Sequence, residues 1–105
     1  MANPWTGEAT LVIDGERRVA KLTLGALAEL EAELGGESLV ALIERFEAGR
    51  ASSRDVLALV VAGLRGGGWR GSAEDLLSAE IAGGPLEAAR VAARLLVRAF
   101  APQDG

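Results

Sequence analysis

The densest group of residues able to do chemistry is Gly63–Ser72, "GLRGGGWRGS", where three consecutive glycines and a tryptophan stand between Arg65 and Arg70. Glycine-rich turns can cradle phosphate with free backbone N–H groups, and arginine supplies the counter-charge. A nucleotide-binding phosphate loop, however, follows a strand and ends on a lysine and a Ser or Thr that meets Mg²⁺. Here the glycines follow an apolar helical pattern, the single lysine is Lys21, and no aspartate is placed for magnesium. The run therefore reads as a joint between helices, with Gly66 capping one and Ser72 the next. Trp69 on this joint either folds back to plug the core or projects as a partner anchor. Tryptophan and arginine are both over-represented at interface hot spots.

The other polar residues offer no catalytic constellation. Glu29, Glu31 and Glu33 sit two apart on a helical pattern and do not converge, and no nucleophile or oxyanion motif accompanies them. Histidine and cysteine are absent, which removes the usual general base, zinc thiolates and disulfides. No Asp-x-Asp calcium loop is present. Neither enzyme chemistry, a metal nor a cofactor is expected. Glu87, Arg90, Arg94 and Arg98 recur at i, i+3 and i+4 spacing, which gives a solvated helix face or a surface for an acidic partner, such as Glu29, Glu31 and Glu33 of another copy. Arg65, Trp69, Arg70, Arg90, Arg94 and Arg98 are the candidate partner-binding residues.

The elements that hold these residues follow from patterning. In "EATLVIDGERRVAKLT", Ala9, Leu11 and Ile13 alternate with Thr10 and Val12, and Asp14-Gly15 is a hairpin turn signal. A two- or four-residue loop puts Ala20 and Leu22 on the face of Leu11 and Ile13, so the hairpin, about 8–23, should lie on a helical layer. The helical part, about 24–101, divides at its caps. Thr23 starts a helix with a stripe of Leu24, Leu27, Leu30 and Leu34 that stops at Gly35. Ser38 starts one facing inward with Leu39, Leu42, Ile43 and Phe46 and ending at Gly49. Ser52 with Asp55, and Ser72 with Asp75, fit capping boxes. Val56–Leu64 is apolar all round, which places that helix at the centre of the core. Pro85 fits the first turn of the last helix, whose apolar surface includes Leu86, Val91, Leu95, Leu96 and Phe100. The expected fold class is α+β: one domain over 1–105, a hairpin packed on about five short helices.

Composition narrows the function further. Of 105 residues half are apolar, and the net charge is −4. Residues 1–48 hold nine acidic and four basic side chains, and 49–105 six and seven. That balance argues against a nucleic-acid binder. The N-terminal "MANPWTGEAT" carries no secretory pattern, and the longest apolar run is far below the roughly 20 residues of a membrane span, so a cytoplasmic protein is expected.

In "LTLGALAELEAELG", "SLVALIERFEAG" and "DVLALVVAGLRGGG" the sequence resembles the small tail protein of bacterial gene transfer agents, a tail-tube-associated or tail-assembly-chaperone family. The likeness runs from "GEATLVIDGE" to "ARLLVRAF". The family's "GLRGxG" stretch is matched by Gly63, Leu64, Arg65, Gly66 and Gly68. The resemblance implies a non-catalytic role in building a phage-like tail, with the tape-measure protein and tail tube subunits as partners. A structural tail subunit retained in the particle and an unrelated cytoplasmic adaptor are the alternatives.

Overall fold

The computed structural model describes residues 8–100. The N-terminal residues read above for a leader, and residue 101 at the predicted helical end, lie outside them. Two strands, β1 (Glu8–Ile13) and β2 (Glu16–Lys21), pair antiparallel, with Leu11 opposite Arg18 and Ile13 opposite Glu16. The turn is the two-residue one: Asp14 and Gly15 have φ of 51° and 81°, the left-handed pair that matches strand twist in a hairpin. Ala9, Leu11, Ile13 and Ala20 are buried together, and Leu22, just past the strand, packs half-buried against them. One face of the sheet is therefore core, as the alternation requires.

Five helices follow: α1 (Leu24–Glu33), α2 (Leu39–Glu47), α3 (Ser53–Gly66), α4 (Ala73–Leu77) and α5 (Gly84–Phe100). The hydroxyls of Thr23, Ser38, Ser52 and Ser72 each accept the backbone N–H three residues on, which fixes where the first four begin. The two capping boxes are both formed. α3 is central, and it packs on β2, α1, α4 and α5. Leu59 and Leu64 on α3, like Leu95 on α5, are fully buried, each stabilising by about 2 kcal/mol.

The segment after α4 adds a tie to the hairpin. Asp14 N–H donates to the Glu80 carbonyl, Glu80 N–H donates to Asp14 Oδ1, and Ala82 N–H donates to the Val12 carbonyl. These bonds cover the turn end of the β1 edge, which an isolated hairpin would leave open.

Three leucine and aromatic positions differ from expectation. Leu24 is 86 % exposed, and Leu86 and Phe100 also face solvent. In α1 the inward arc is centred on Ala26 and Leu30, and in α5 on Ala88, Val91, Ala92, Leu95 and Leu96. Alanines carry much of both arcs, so the large residues alone point to the wrong side at the helix starts. The cap of α3 is Gly67, one residue beyond the Gly66 expected. α3 is also not covered all round: Val56, Leu57, Ala58 and Val61 are only half-buried.

Candidate functional site

The glycine-rich joint is a packing device. An added Cβ on Gly66 would lie 2.0 Å from the Lys21 carbonyl oxygen, and one on Gly67 2.0 Å from that of Val19. A Cβ on Gly63 would lie 2.7 Å from a methyl of Leu95. Glycine at these positions lets the end of α3 lie flush on β2. The backbone N–H groups of Gly67, Gly68 and Trp69 all donate back to carbonyls of α3, those of Gly63 and Leu64, of Arg65, and of Leu64 respectively. They close the C-terminal end of a helix, where the dipole disfavours an anion. Phosphate would find neither those donors nor a favourable field.

Trp69 is half-buried and packs against the core. Its ring lies over Gly71, where a Cβ would come 2.1 Å from it, and it lines a small cleft with Ile13, Glu16 and Arg18. Arg65 is ion-paired with Glu29 of α1 and donates to the Gly71 carbonyl. Arg70 is exposed. On α5, Arg90 and Arg94 are exposed, whereas Arg98 is half-buried and donates to the Glu8 carbonyl, joining α5 to the first strand. The candidate arginines thus differ in setting: Arg65 and Arg98 are engaged within the fold, Arg70 lies exposed on the joint, and Arg90 and Arg94 are exposed on α5.

Patterning did not reveal an open groove of about 610 Å³ between α3, α4 and α5. Its walls are Val56, Leu57 and Val60 from α3, Leu76, Leu77 and Ile81 from α4 and its sequel, and Ala88 and Ala89 from α5. Leu77 is 71 % exposed on its rim. The polar groups gather at one end, where Ser52, Ser53 and Arg54 begin α3. Arg54 is exposed, has no ion-pair partner among the described residues, and stands in the first turn of α3, where the helix dipole disfavours a cation. A second groove of about 380 Å³ runs between α1 and α3 and shares Arg54 and Leu57 with the first. The sequence signal that could have exposed the groove is the all-round apolar stretch of α3 followed by a helix of five residues, too short to cover it.

The start of α3, beside these grooves, is held by ion pairs of Arg45. Arg45 of α2 donates from Nε and a terminal nitrogen to both oxygens of Asp55, each at 2.9 Å, while Ser52 N–H donates to Asp55 Oδ2 at 2.9 Å. Glu37 also pairs with Arg45, at 2.8 Å. The Arg45 guanidinium, with help from the Ser52 N–H, holds the Asp55 carboxyl below its ordinary value, although partial burial pulls the other way. The same bonds push the Arg45 guanidinium further up, so it stays charged. This fork fastens α2 to the start of α3 and fixes the helix end on which Arg54 stands.

Among the described residues the arrangement is an apolar channel with a cation at its end, a shape that can take an amphipathic helix. Among the described residues no carboxylate cluster is grouped to hold a metal, and no helix is long and apolar enough to cross a membrane.

A family model described as phage tail tube protein, GTA-gp10, matches residues 6–102. No curated protein and no solved structure compared with the chain matches it. The family match takes in the hairpin, all five helices and the glycine joint. The chain belongs to the GTA-gp10 family of phage tail tube proteins.

Proposed function

We propose that the chain is a non-catalytic morphogenesis protein of a phage-like tail, an assembly chaperone that holds helical segments of the tape-measure protein and hands them to tail tube subunits in the cytoplasm. The observation that carries this reading is the solvent-open apolar groove between α3, α4 and α5, ended by Arg54, which has no ion-pair partner among the described residues. A tape measure is a long, largely helical chain whose apolar faces aggregate until the tube encloses them. An amphipathic helix laid in such a groove buries those faces through i, i+3, i+4 and i+7 anchors. Arg54 favours a segment that carries a carboxylate beside its apolar stripe. With few other polar contacts the grip is moderate, which suits release when the tube polymerises.

The test is capture of the tape-measure protein by the tagged chain in cells assembling tails. Leu77→Asp and Arg54→Glu change exposed side chains and leave the core intact. Each is expected to lower capture at least about tenfold with unchanged circular dichroism. Capture undiminished by both would overturn the groove as the binding site.

The family description favours a second reading, a structural subunit retained in the tail. Protein content of purified particles separates the two. A chaperone is present in traces, and a tube subunit in amounts matching the rest of the tube.

A further inference from the structure

α2 is held to the fold by side chains alone. α3 closes on the backbone of β2 through Gly66 and Gly67, and α1 runs beside α3. The sequel of α4 is bonded to the hairpin through Asp14, Glu80 and Ala82, and α5 is tied to β1 by Arg98. α2 has no comparable extended approach to another element. Among the described residues, no backbone hydrogen bond joins residues 38–49 to another element.

What holds α2 is a short apolar stripe and one fork. Leu42 is fully buried, while Leu39, Ile43 and Phe46 pack half-buried against the core. Arg45 supplies the polar link to α3 through Asp55. A cleft of about 290 Å³ lies alongside, between the end of α1, Arg45 and the start of α3. Both ends of the segment turn on glycine. Gly36 before it and Gly49 after it have φ of 85° and 70°, and a Cβ on either would meet open space. Packing therefore does not require glycine there, whereas the backbone conformation does, and such positions absorb a change of chain direction at little cost. A helix held in this way opens locally before the rest of the domain unfolds.

We infer that α2 is a removable cover, which swings out as a unit between Gly36 and Gly49 and leaves a seat for an amphipathic helix of a partner protein. The chemistry of that helix is written in α2 itself. It carries apolar residues at the i, i+3, i+4 and i+7 spacing of Leu39, Leu42, Ile43 and Phe46, with an arginine at i+6 to meet Asp55. The tethered α2 competes for the seat at a roughly millimolar effective concentration. A partner helix therefore enters when it fits better than α2 or when the Arg45 fork is broken, and its affinity scales with the open fraction. α2 contributes no residue to the groove between α3, α4 and α5, so this inference does not depend on what the groove binds.

The test begins with native-state hydrogen exchange of the full chain. Amides of residues 42–47 should exchange at least about tenfold faster than those of residues 59–64, with one shared and shallow dependence on denaturant. The second measurement uses a fluorescein-labelled peptide of residues 38–49, SLVALIERFEAG, as the incoming helix. Arg45→Met in the chain breaks the fork and keeps most of the stem. This variant should bind the peptide at least about tenfold more tightly than the parent does. A peptide that itself carries Arg45→Met should lose that gain, because it cannot pair with Asp55. Leu77→Asp, which spoils the groove, should leave peptide binding unchanged. Should Arg45→Met misfold, Ile43→Ala loosens α2 at a half-buried position and should raise peptide binding in the same way. Exchange of residues 42–47 only through global unfolding, a folded variant that binds the peptide no better than the parent, or binding that Leu77→Asp abolishes would each overturn the removable cover.

Discussion

Gly66 of α3 sits against the carbonyl of Lys21 so closely that a methyl group there would lie 2.0 Å from its oxygen. The obstacle is strand backbone, which cannot swing aside as a flexible side chain can. Gly66→Ala should therefore force α3 off the hairpin and cost about 3 kcal/mol or more. Gly25 provides the contrast. It lies in α1 with only Thr23 Oγ1 nearby, at 3.9 Å, so Gly25→Ala should stabilise by about 0.5 kcal/mol by restricting the unfolded chain. Denaturant titration of both variants checks the opposite signs. A neutral Gly66→Ala would show that the close approach is not needed.

The Arg45–Asp55 fork makes stability depend on acid. The folded Asp55 carboxyl titrates below the ordinary 3.8 of the unfolded chain because it accepts from Arg45 and Ser52. Its contribution is therefore complete above the unfolded value and is lost as pH falls through the folded one. Asp55→Asn should lower stability at pH 7 by about 2–3 kcal/mol, less than a fully buried pair because Arg45 keeps contact with water. It should also flatten the decline in stability between about pH 5 and pH 2. Amide exchange in Leu39–Glu47 should rise first, since the fork fastens α2. Parallel stability–pH curves for the two proteins would assign the acid sensitivity elsewhere.

Local chemistry made the hairpin and the helix starts legible, because Asp14-Gly15, Thr23, Ser38, Ser52 and Ser72 each determine their own neighbourhood. The glycine joint was readable as a joint, but its reason was not. Nothing local says that Gly66 and Gly67 meet Lys21 and Val19, more than forty residues away in sequence. The outward Leu24 and Leu86 escaped for a related reason. Period-3.6 reading weights bulky residues, whereas α1 and α5 approach α3 through Ala26, Ala88 and Ala92, whose small side chains permit close packing. The groove is the shape left over when a five-residue α4 meets a longer α3, and only assembly of the elements shows it.

Trp69 should act on stability through Gly71. Its ring is half-buried against the core and covers Gly71, so Trp69→Ala is expected to cost about 2 kcal/mol, below the 3–5 of a fully enclosed aromatic. Gly71→Ala must displace the ring. In a Trp5→Phe background, where Trp69 alone emits, its fluorescence should shift to longer wavelength. An unchanged spectrum would mean that the ring does not rest on Gly71.

The three arginines of α5 should separate by consequence. Arg98 donates to the Glu8 carbonyl at the start of β1 and so ties the last helix to the first strand. Arg98→Met keeps most of the aliphatic stem and removes the charged donor, which should cost about 1.5 kcal/mol. Arg90 and Arg94 hold nothing within the described fold, so Arg90→Met and Arg94→Met should change stability by less than about 0.5 kcal/mol. Thermal unfolding of the three variants at a concentration low enough to keep them monomeric isolates the intramolecular part. A loss at Arg94 as large as that at Arg98 would mean that the outward stripe of α5 is occupied within the chain.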